Sequence, residues 1–161
     1  TRLTGCGCFA TTAPASSDAY ARPSKPYIPP DRGFGHAGYP VISLASKGAI
    51  EVTPFAQTHG PIRSLGFRIG PIAYSSDVSA LDEAAFAALD GVECWIVDAL
   101  RDEPHPTHSH VAQTLAWIAR IRPKRAILTN LHIDLDYKAL AARLPPGVEP
   151  AFDGLSFAVA T

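Results

Sequence analysis

Short runs of apolar residues alternate with polar turns along the chain from residue 50 onward. Some runs are rich in β-branched and aromatic residues, whereas two longer runs carry apolar residues at helical spacing. The pattern predicts elements at the following positions: strands at 50–55, 64–69, 72–75, 93–99 and 125–129, and helices at 81–89 and 110–121. Because the first three strands follow one another closely, we expect them to pair antiparallel. The chain is therefore predicted to belong to the α/β class.

The C-terminal part contains one more predicted helix and two strand-like segments. The helix is expected to begin after Asp134 or Asp136, since either residue can cap a helix, and to end before Pro145. Asp153-Gly154 is a dipeptide typical of two-residue hairpin turns. We therefore expect residues 148–159 to form a closing hairpin.

Residues 1–49 differ from the rest in composition. They are rich in glycine, proline and small polar residues, which favour turns and extended segments over regular elements. We interpret residues 1–49 as an irregular arm or insertion, of the kind that covers a pocket in other proteins, and residues 50–161 as the folded domain.

Composition narrows the class of protein. The chain has 161 residues, of which 47% are hydrophobic, enough for a substantial core. Lys and Arg number 14 against 15 Asp and Glu, so no basic field is available to hold nucleic acid, and nucleic-acid binding is not expected. No apolar run is long enough to span a bilayer, so we expect no membrane association. Three cysteines do not form a secreted disulfide framework, which indicates the cytoplasm.

Three metal-binding side chains follow short apolar runs. His59, Asp77 and His132 each stand where a strand is predicted to lead into a loop. Neutral imidazole and carboxylate are ligands that suit Zn²⁺, Mn²⁺ or Fe. We therefore predict that the three converge on one metal site, although Asp77 is also a suitable turn residue before a helix. Cys6-Gly7-Cys8 lacks a second pair and is only a weak metal or redox signal.

Several motifs in order resemble a known family. They are Val52-Thr53-Pro54, His59-Gly60, residues 64–69, Tyr74-Ser75-Ser76-Asp77, residues 95–100, His105-Pro106-Thr107-His108 and residues 127–132. Together they resemble the C-terminal half of metallo-β-lactamase-fold hydrolases, in particular the phosphoribosyl cyclic phosphate phosphodiesterase type, which is related to ribonuclease Z. The resemblance covers about residues 50–157 and implies the C-terminal part of an αββα sandwich.

The resemblance also implies roles for individual residues. His59 is similar to the family's third-motif histidine, and Asp77 to its aspartate that bridges two divalent ions, Zn or Mn. His108 is similar to the family's catalytic histidine, or to a histidine that supports the metal ligands. The family's last ligand is a histidine in a Leu-Thr-His pattern, where this chain has Asn130 instead. His132 lies two residues further on. Because residues i and i+2 of an extended segment face the same side, His132 is expected to replace it. Whether Asn130 or His132 holds that position is left open.

The family's His-x-His-x-Asp-His motif does not occur in this sequence, and the sequence contains no methionine. We therefore expect the motif to precede Thr1 and the chain to be a C-terminal piece, inactive on its own. Its inner sheet face would then be open, which predicts poor solubility and self-association, for example as a homodimer.

Three functions remain open at this point. The first is a two-metal phosphodiesterase that acts on a small cyclic phosphate, with Asp98 orienting a metal-bound histidine. The second is a nuclease similar to ribonuclease Z, which the balanced charge does not favour. The third is a non-catalytic remnant of the fold, in which Asn130 reflects a lost site and His108 is only a solvated residue before a helix.

Overall fold

The structure, a computed structural model, describes Arg2–Thr4, Ile42–Ala45 and residues 49–158. Its strands are β1 (Arg2–Thr4), β2 (Ile42–Ala45), β3 (Ala49–His59), β4 (Ile62–Ile69), β5 (Ile72–Ser75), β6 (Cys94–Asp98), β7 (Arg125–Thr129), β8 (Val148–Pro150) and β9 (Ser156–Ala158). Its helices are α1 (Glu83–Ala88), α2 (Val111–Ile121) and α3 (Tyr137–Arg143). The predicted α/β class is confirmed. Most of residues 1–49, including Cys6, Cys8 and His36, lie outside the described residues, so the predicted division at residue 49 stays a prediction.

Seven of the described strands form one mixed sheet, in the order β2-β3-β4-β5-β6-β7-β8. The pairs from β2 to β5 are antiparallel, as predicted for β3, β4 and β5, and the pairs from β5 to β8 are parallel. Two antiparallel steps separate β3 from β5, so β3 runs in the same direction as the parallel strands. The carboxyl ends of β3, β5, β6, β7 and β8 therefore lie at one edge of the sheet.

The main hydrophobic core packs the three helices against the parallel strands. Alternate residues of β6 and β7, such as Trp95, Val97 and Leu128, are fully buried and contact residues of the helices, for example Leu140. This is the burial expected when parallel strands are linked through helices. Cys94 is also buried, and burial raises the pKa of its thiol. The core thereby fixes the positions of β6 and β7, from whose carboxyl ends the next loops begin.

The predicted C-terminal hairpin is wrong. Asp153-Gly154 does form a tight turn, in which Gly154 has a φ of 89° and the Leu155 amide donates to the Phe152 carbonyl over 3.0 Å. The two flanking strands, however, belong to different sheets: β8 pairs parallel with β7, and β9 pairs antiparallel with β1. Local turn chemistry specifies that the chain reverses, but not which strand each arm pairs with, and tertiary packing decided the partners.

Candidate metal centre

Functional side chains collect at the carboxyl edge of the sheet. His59 is the last residue of β3, and Asp98 is the last residue of β6. Asp77 follows β5 by two residues, and Asn130 follows β7 directly. His108 lies in the loop between β6 and α2. The strand directions, rather than closeness in sequence, bring these residues together.

The His59 ring is oriented by a turn that requires glycine. Gly60 has a φ of 59°, and a Cβ at this position would lie 2.6 Å from the Thr107 Cγ2 atom. The close approach lets the His59 Nδ1 atom lie 2.7 Å from the Thr107 carbonyl oxygen. Since a carbonyl can only accept, Nδ1 carries the proton and donates. The Nε2 atom of His59 therefore keeps its lone pair, as in metal-binding histidines that donate their other N–H to a backbone carbonyl.

A buried carboxylate orients the second imidazole. The Nδ1 atom of His108 lies 2.7 Å from the Oδ2 atom of Asp98, whose side chain is 0% exposed. The Asp98 carboxylate also accepts from the Val78 amide over 3.3 Å and from the Asn130 Nδ2 atom over 3.2 Å. Burial raises the pKa of Asp98, and these hydrogen bonds only partly oppose that effect. Asp98 was expected to orient a metal-bound histidine; the structure shows its contact with His108, and metal binding by that histidine stays a prediction.

The backbone of this region is anchored as well. The Asp98 carbonyl oxygen accepts from the Ser109 hydroxyl over 2.6 Å and from the Thr114 hydroxyl over 2.7 Å. Both hydroxyl residues are fully buried. The loop that carries His108 is thereby tied to the end of β6 through side-chain hydrogen bonds.

His59, Asp77 and His108 form the group in the described part of the chain that could hold a metal ion. One ligand atom from each residue lies within 4.8 Å of those from the other two. The His59 and His108 rings meet edge to face, with their centroids 4.8 Å apart. The Asp77 side chain is 60% exposed and the His108 side chain 17%, so the group is open to solvent on one side. Two imidazoles and one carboxylate fit a divalent transition metal with a position left for water or substrate.

The structure does not bring His132 into this cluster. Its Nδ1 atom lies 2.9 Å from the Asp134 Oδ2 atom, and its side chain is 47% exposed. The prediction assumed an extended backbone after β7, and that assumption is wrong. Asn130 has a φ of 60°, a left-handed conformation that ends the strand and abolishes the two-residue alternation. The assignment of His132 as a metal ligand stays a prediction, as do the metal role of His59 and Asp77 and the catalytic role of His108.

Two polar residues near the cluster were missed by the sequence analysis. Gln57 is 1% exposed and donates from Nε2 to the Ser76 carbonyl over 3.0 Å, and the Ser64 hydroxyl donates to the Asp77 carbonyl over 2.6 Å. Gln57 shares a face of β3 with His59, two residues further on, but nothing in the local sequence shows that either polar side chain binds a distant turn. Asn130 was noted only as a departure from the family pattern, although its side chain binds Asp98.

Comparison with known proteins identifies the class of this fold and site. A family model described as the beta-lactamase superfamily domain matches residues 30–133, and the chain belongs to that family. The predicted membership in the metallo-β-lactamase-fold hydrolases and the fold class are thereby confirmed. In the described residues we find no helix long and apolar enough to cross a membrane.

Individual relatives add detail. A crystal structure described as a new diphosphatase from the PhnP family is 30% identical, with a TM-score of 0.69 over 73% of this chain and 46% of that one. The short form of human tRNase Z is 19% identical, with a TM-score of 0.56 over 74% of this chain and 47% of that one, and shows the fold alone. An octanoyltransferase of Porphyromonas gingivalis is 28% identical over 109 residues, 66% of this chain and 22% of that protein. The chain thus spans less than half the length of each of these proteins.

Proposed function

We propose that this chain provides the metal-binding edge of a divalent-metal-dependent hydrolase that cleaves a phosphoester. The observation that carries the proposal is the convergence of His59, Asp77 and His108 within 4.8 Å at the carboxyl edge of the sheet. Membership in the beta-lactamase superfamily supports hydrolysis. The similarity to a diphosphatase supports a phosphate substrate, and we propose a small cyclic phosphate.

We assign His59 and Asp77 to the metal centre, which we propose holds two Zn or Mn ions in the working enzyme. When bound there, two divalent ions would supply an activated water and would stabilise charge on the phosphoryl oxygens. The Nε2 lone pair of His59 is free because Thr107 holds Nδ1. The Asp77 side chain is 60% exposed, so its carboxylate is accessible to a metal ion from the solvent side.

We propose that His108 acts on the substrate. Its Nδ1 atom is held by the buried Asp98 carboxylate, so its Nε2 atom is the one left to exchange a proton or to bind a phosphoryl oxygen. Because Asp98 fixes the orientation of the ring through Nδ1, the Nε2 atom is the one that would donate a proton to the leaving alkoxide. The contact of His108 with the cluster also allows it to bind metal, and His132 remains the competing candidate for the last ligand.

Metal binding to single alanine variants separates these assignments. We expect His59→Ala and Asp77→Ala to weaken Zn²⁺ binding more than about 100-fold, since lost ligands cost more than the 10–100-fold typical of their supporting residues. His110→Ala is the control, because His110 lies close by but forms no side-chain cap hydrogen bond. If His132→Ala weakens binding and His108→Ala does not, His132 is the ligand and His108 the catalytic residue. Unchanged binding in both the His59 and Asp77 variants would refute the metal centre.

Activity assays with three substrates distinguish the functions. In the working enzyme, rather than in this chain alone, we expect metal-dependent hydrolysis of a cyclic ribose phosphate, and His108→Ala should abolish turnover while His110→Ala leaves it unchanged. A linear dinucleoside diphosphate tests diphosphatase activity, and an RNA tests the nuclease alternative. Cleavage of RNA alone would favour a nuclease similar to ribonuclease Z. Metal binding without turnover of any of the three would favour a non-catalytic member of the fold.

A further inference from the structure

Asp77 has a backbone conformation that needs support. Its φ is 55°, in the left-handed region that non-glycine residues seldom adopt. The residue lies just beyond the end of β5, where no strand pairing holds it. In this conformation a carboxylate oxygen of Asp77 lies within 4.8 Å of a ring nitrogen of His59 and of His108. Some interaction outside the strand must therefore keep the Asp77 backbone in place.

Two side chains bind the peptide groups on either side of Asp77. Gln57 donates from Nε2 to the Ser76 carbonyl over 3.0 Å, and Ser64 donates from its hydroxyl to the Asp77 carbonyl over 2.6 Å. The φ and ψ angles of a residue are the rotations that relate the peptide plane before it to the plane after it. Fixing both carbonyl groups therefore fixes the backbone conformation of Asp77.

The two side chains form one connected unit. Gln57 and Ser64 are directly opposite each other in the antiparallel pairing of β3 and β4, and the Gln57 Nε2 atom lies 3.4 Å from the Ser64 Oγ atom. The β4–β5 register pairs Phe67 with Tyr74, and continuing it places Ser64 opposite Asp77. The hydrogen bonds run in one direction, from the amide to the hydroxyl to the Asp77 carbonyl.

The orientation of the Gln57 amide has an energetic cost. Its Oε1 atom is buried and forms no hydrogen bond with the described residues. A buried polar atom without a partner is unfavourable, so an apolar side chain would suit this site better if packing alone mattered. Because a carbonyl can only accept, the amide must direct Nε2 toward Ser76. The unpartnered Oε1 atom is the consequence of directing Nε2 to the turn.

We propose that Gln57 and Ser64 are positioning residues that clamp the two peptide planes around Asp77, so that its carboxylate is presented to His59 and His108. This inference rests on the proposed function in so far as Asp77 binds metal. The clamp itself is a statement about the backbone of the Ser76–Asp77 turn. It therefore has a readout that does not require metal.

The test compares Ser64→Ala with Ser64→Thr, which retains the hydroxyl, and with Ser156→Ala, a control at an exposed position on β9. Ser64 is chosen because Gln57 is buried and its replacement endangers folding. In metal-free protein, we expect Ser64→Ala to shift the backbone NMR signals of Asp77. The Val78 amide, which donates to Asp98, should exchange with solvent about fivefold faster, as one lost hydrogen bond implies. Ser64→Thr and Ser156→Ala should leave both the Asp77 signals and the Val78 exchange rate as in wild type.

Zn²⁺ affinity, measured by competition with a chromophoric chelator, is the second readout. We expect about tenfold weaker binding for Ser64→Ala and wild-type binding for Ser64→Thr and Ser156→Ala. The clamp would be refuted if Ser64→Ala left the Asp77 signals and the Val78 exchange rate unchanged. It would also be refuted if Ser64→Thr weakened Zn²⁺ binding as much as Ser64→Ala does. If the wild-type protein bound no Zn²⁺ through Asp77, the proposed function would be refuted. The clamp would then be tested by the NMR signals and the amide exchange alone.

Discussion

Replacing Gly60 by alanine tests whether the turn that orients His59 depends on the close approach of Gly60 to Thr107. Gly60 and Gly70 have almost the same φ, 59° and 56°, both in the left-handed region. A Cβ at Gly60 would lie 2.6 Å from Thr107 Cγ2 and 3.2 Å from the Pro106 carbonyl oxygen, whereas a Cβ at Gly70 would meet nothing within 4 Å. Gly70→Ala is therefore a matched control that contains the backbone strain without the clash.

The expected magnitudes follow from these contacts. An L-residue in the left-handed region costs about 1–2 kcal/mol, which should be the whole loss of unfolding free energy in Gly70→Ala. Overpacking typically adds about 1–3 kcal/mol, so Gly60→Ala should lose about 2–5 kcal/mol. The displaced Thr107 carbonyl would also release the His59 ring, and metal affinity should fall about 10–100-fold.

Chemical denaturation and Zn²⁺ titration of the two variants measure these losses. Thr107→Ser removes the clashing methyl group and keeps the hydroxyl, so adding it to Gly60→Ala should reduce the loss toward that of Gly70→Ala. Equal losses in Gly60→Ala and Gly70→Ala, or no recovery in the double variant, would show that the Gly60–Thr107 contact does not shape the site.

Three further variants test one support of the site and two features of the surrounding fold. Asp98→Asn leaves at least one buried donor without an acceptor, so turnover should fall about 10–100-fold; normal turnover would contradict its role toward His108. Burial raises the pKa of Asp98, so the folded protein binds this proton more tightly than the unfolded chain does. The resulting stabilisation is full below the unfolded pKa of about 4, and it is lost as the pH rises through the pKa of Asp98 in the folded protein. The unfolding free energy of wild type relative to Asp98→Asn should therefore increase as pH falls toward 4, and a flat difference would contradict this. Trp95→Phe removes the donor to Ser75 in a fully buried contact and should cost about 2–4 kcal/mol by denaturation. Asp136→Ala removes the N-cap of α3 and should cost about 1 kcal/mol, with metal binding unchanged.

Local sequence signals were sufficient to predict most of the helices and strands. The strands at 72–75 and 125–129 have the predicted bounds, and the helix that ends at Ile121 was found from its apolar stripe and the proline that follows. The strand predicted at 50–55 extends to His59. Its pairing with β4 continues beyond the apolar run, because backbone hydrogen bonds do not depend on side-chain polarity.

Part of the candidate site could be predicted because it follows from where strands end. His59 and Asp77 were named from the ends of strands, and His108 was named from the family resemblance as a catalytic residue; the structure brings ligand atoms of all three together. His132 was grouped with them on the assumption of an extended backbone, which the left-handed conformation of Asn130 does not provide. Gln57 and Ser64 could not have been recognised, since they act through the backbone of a turn that lies 12 or more residues further along the chain.

The sequence by itself determined the class of fold, the order of its elements and the side chains able to bind metal, because residue periodicity, turn residues and donor chemistry are properties of short segments. Only the tertiary structure decided which strands pair, which imidazoles share one pocket and which groups hold their tautomers and backbone angles. Those outcomes depend on strand direction, burial and hydrogen bonds between distant segments. No local pattern encodes them, because each requires two parts of the chain to meet.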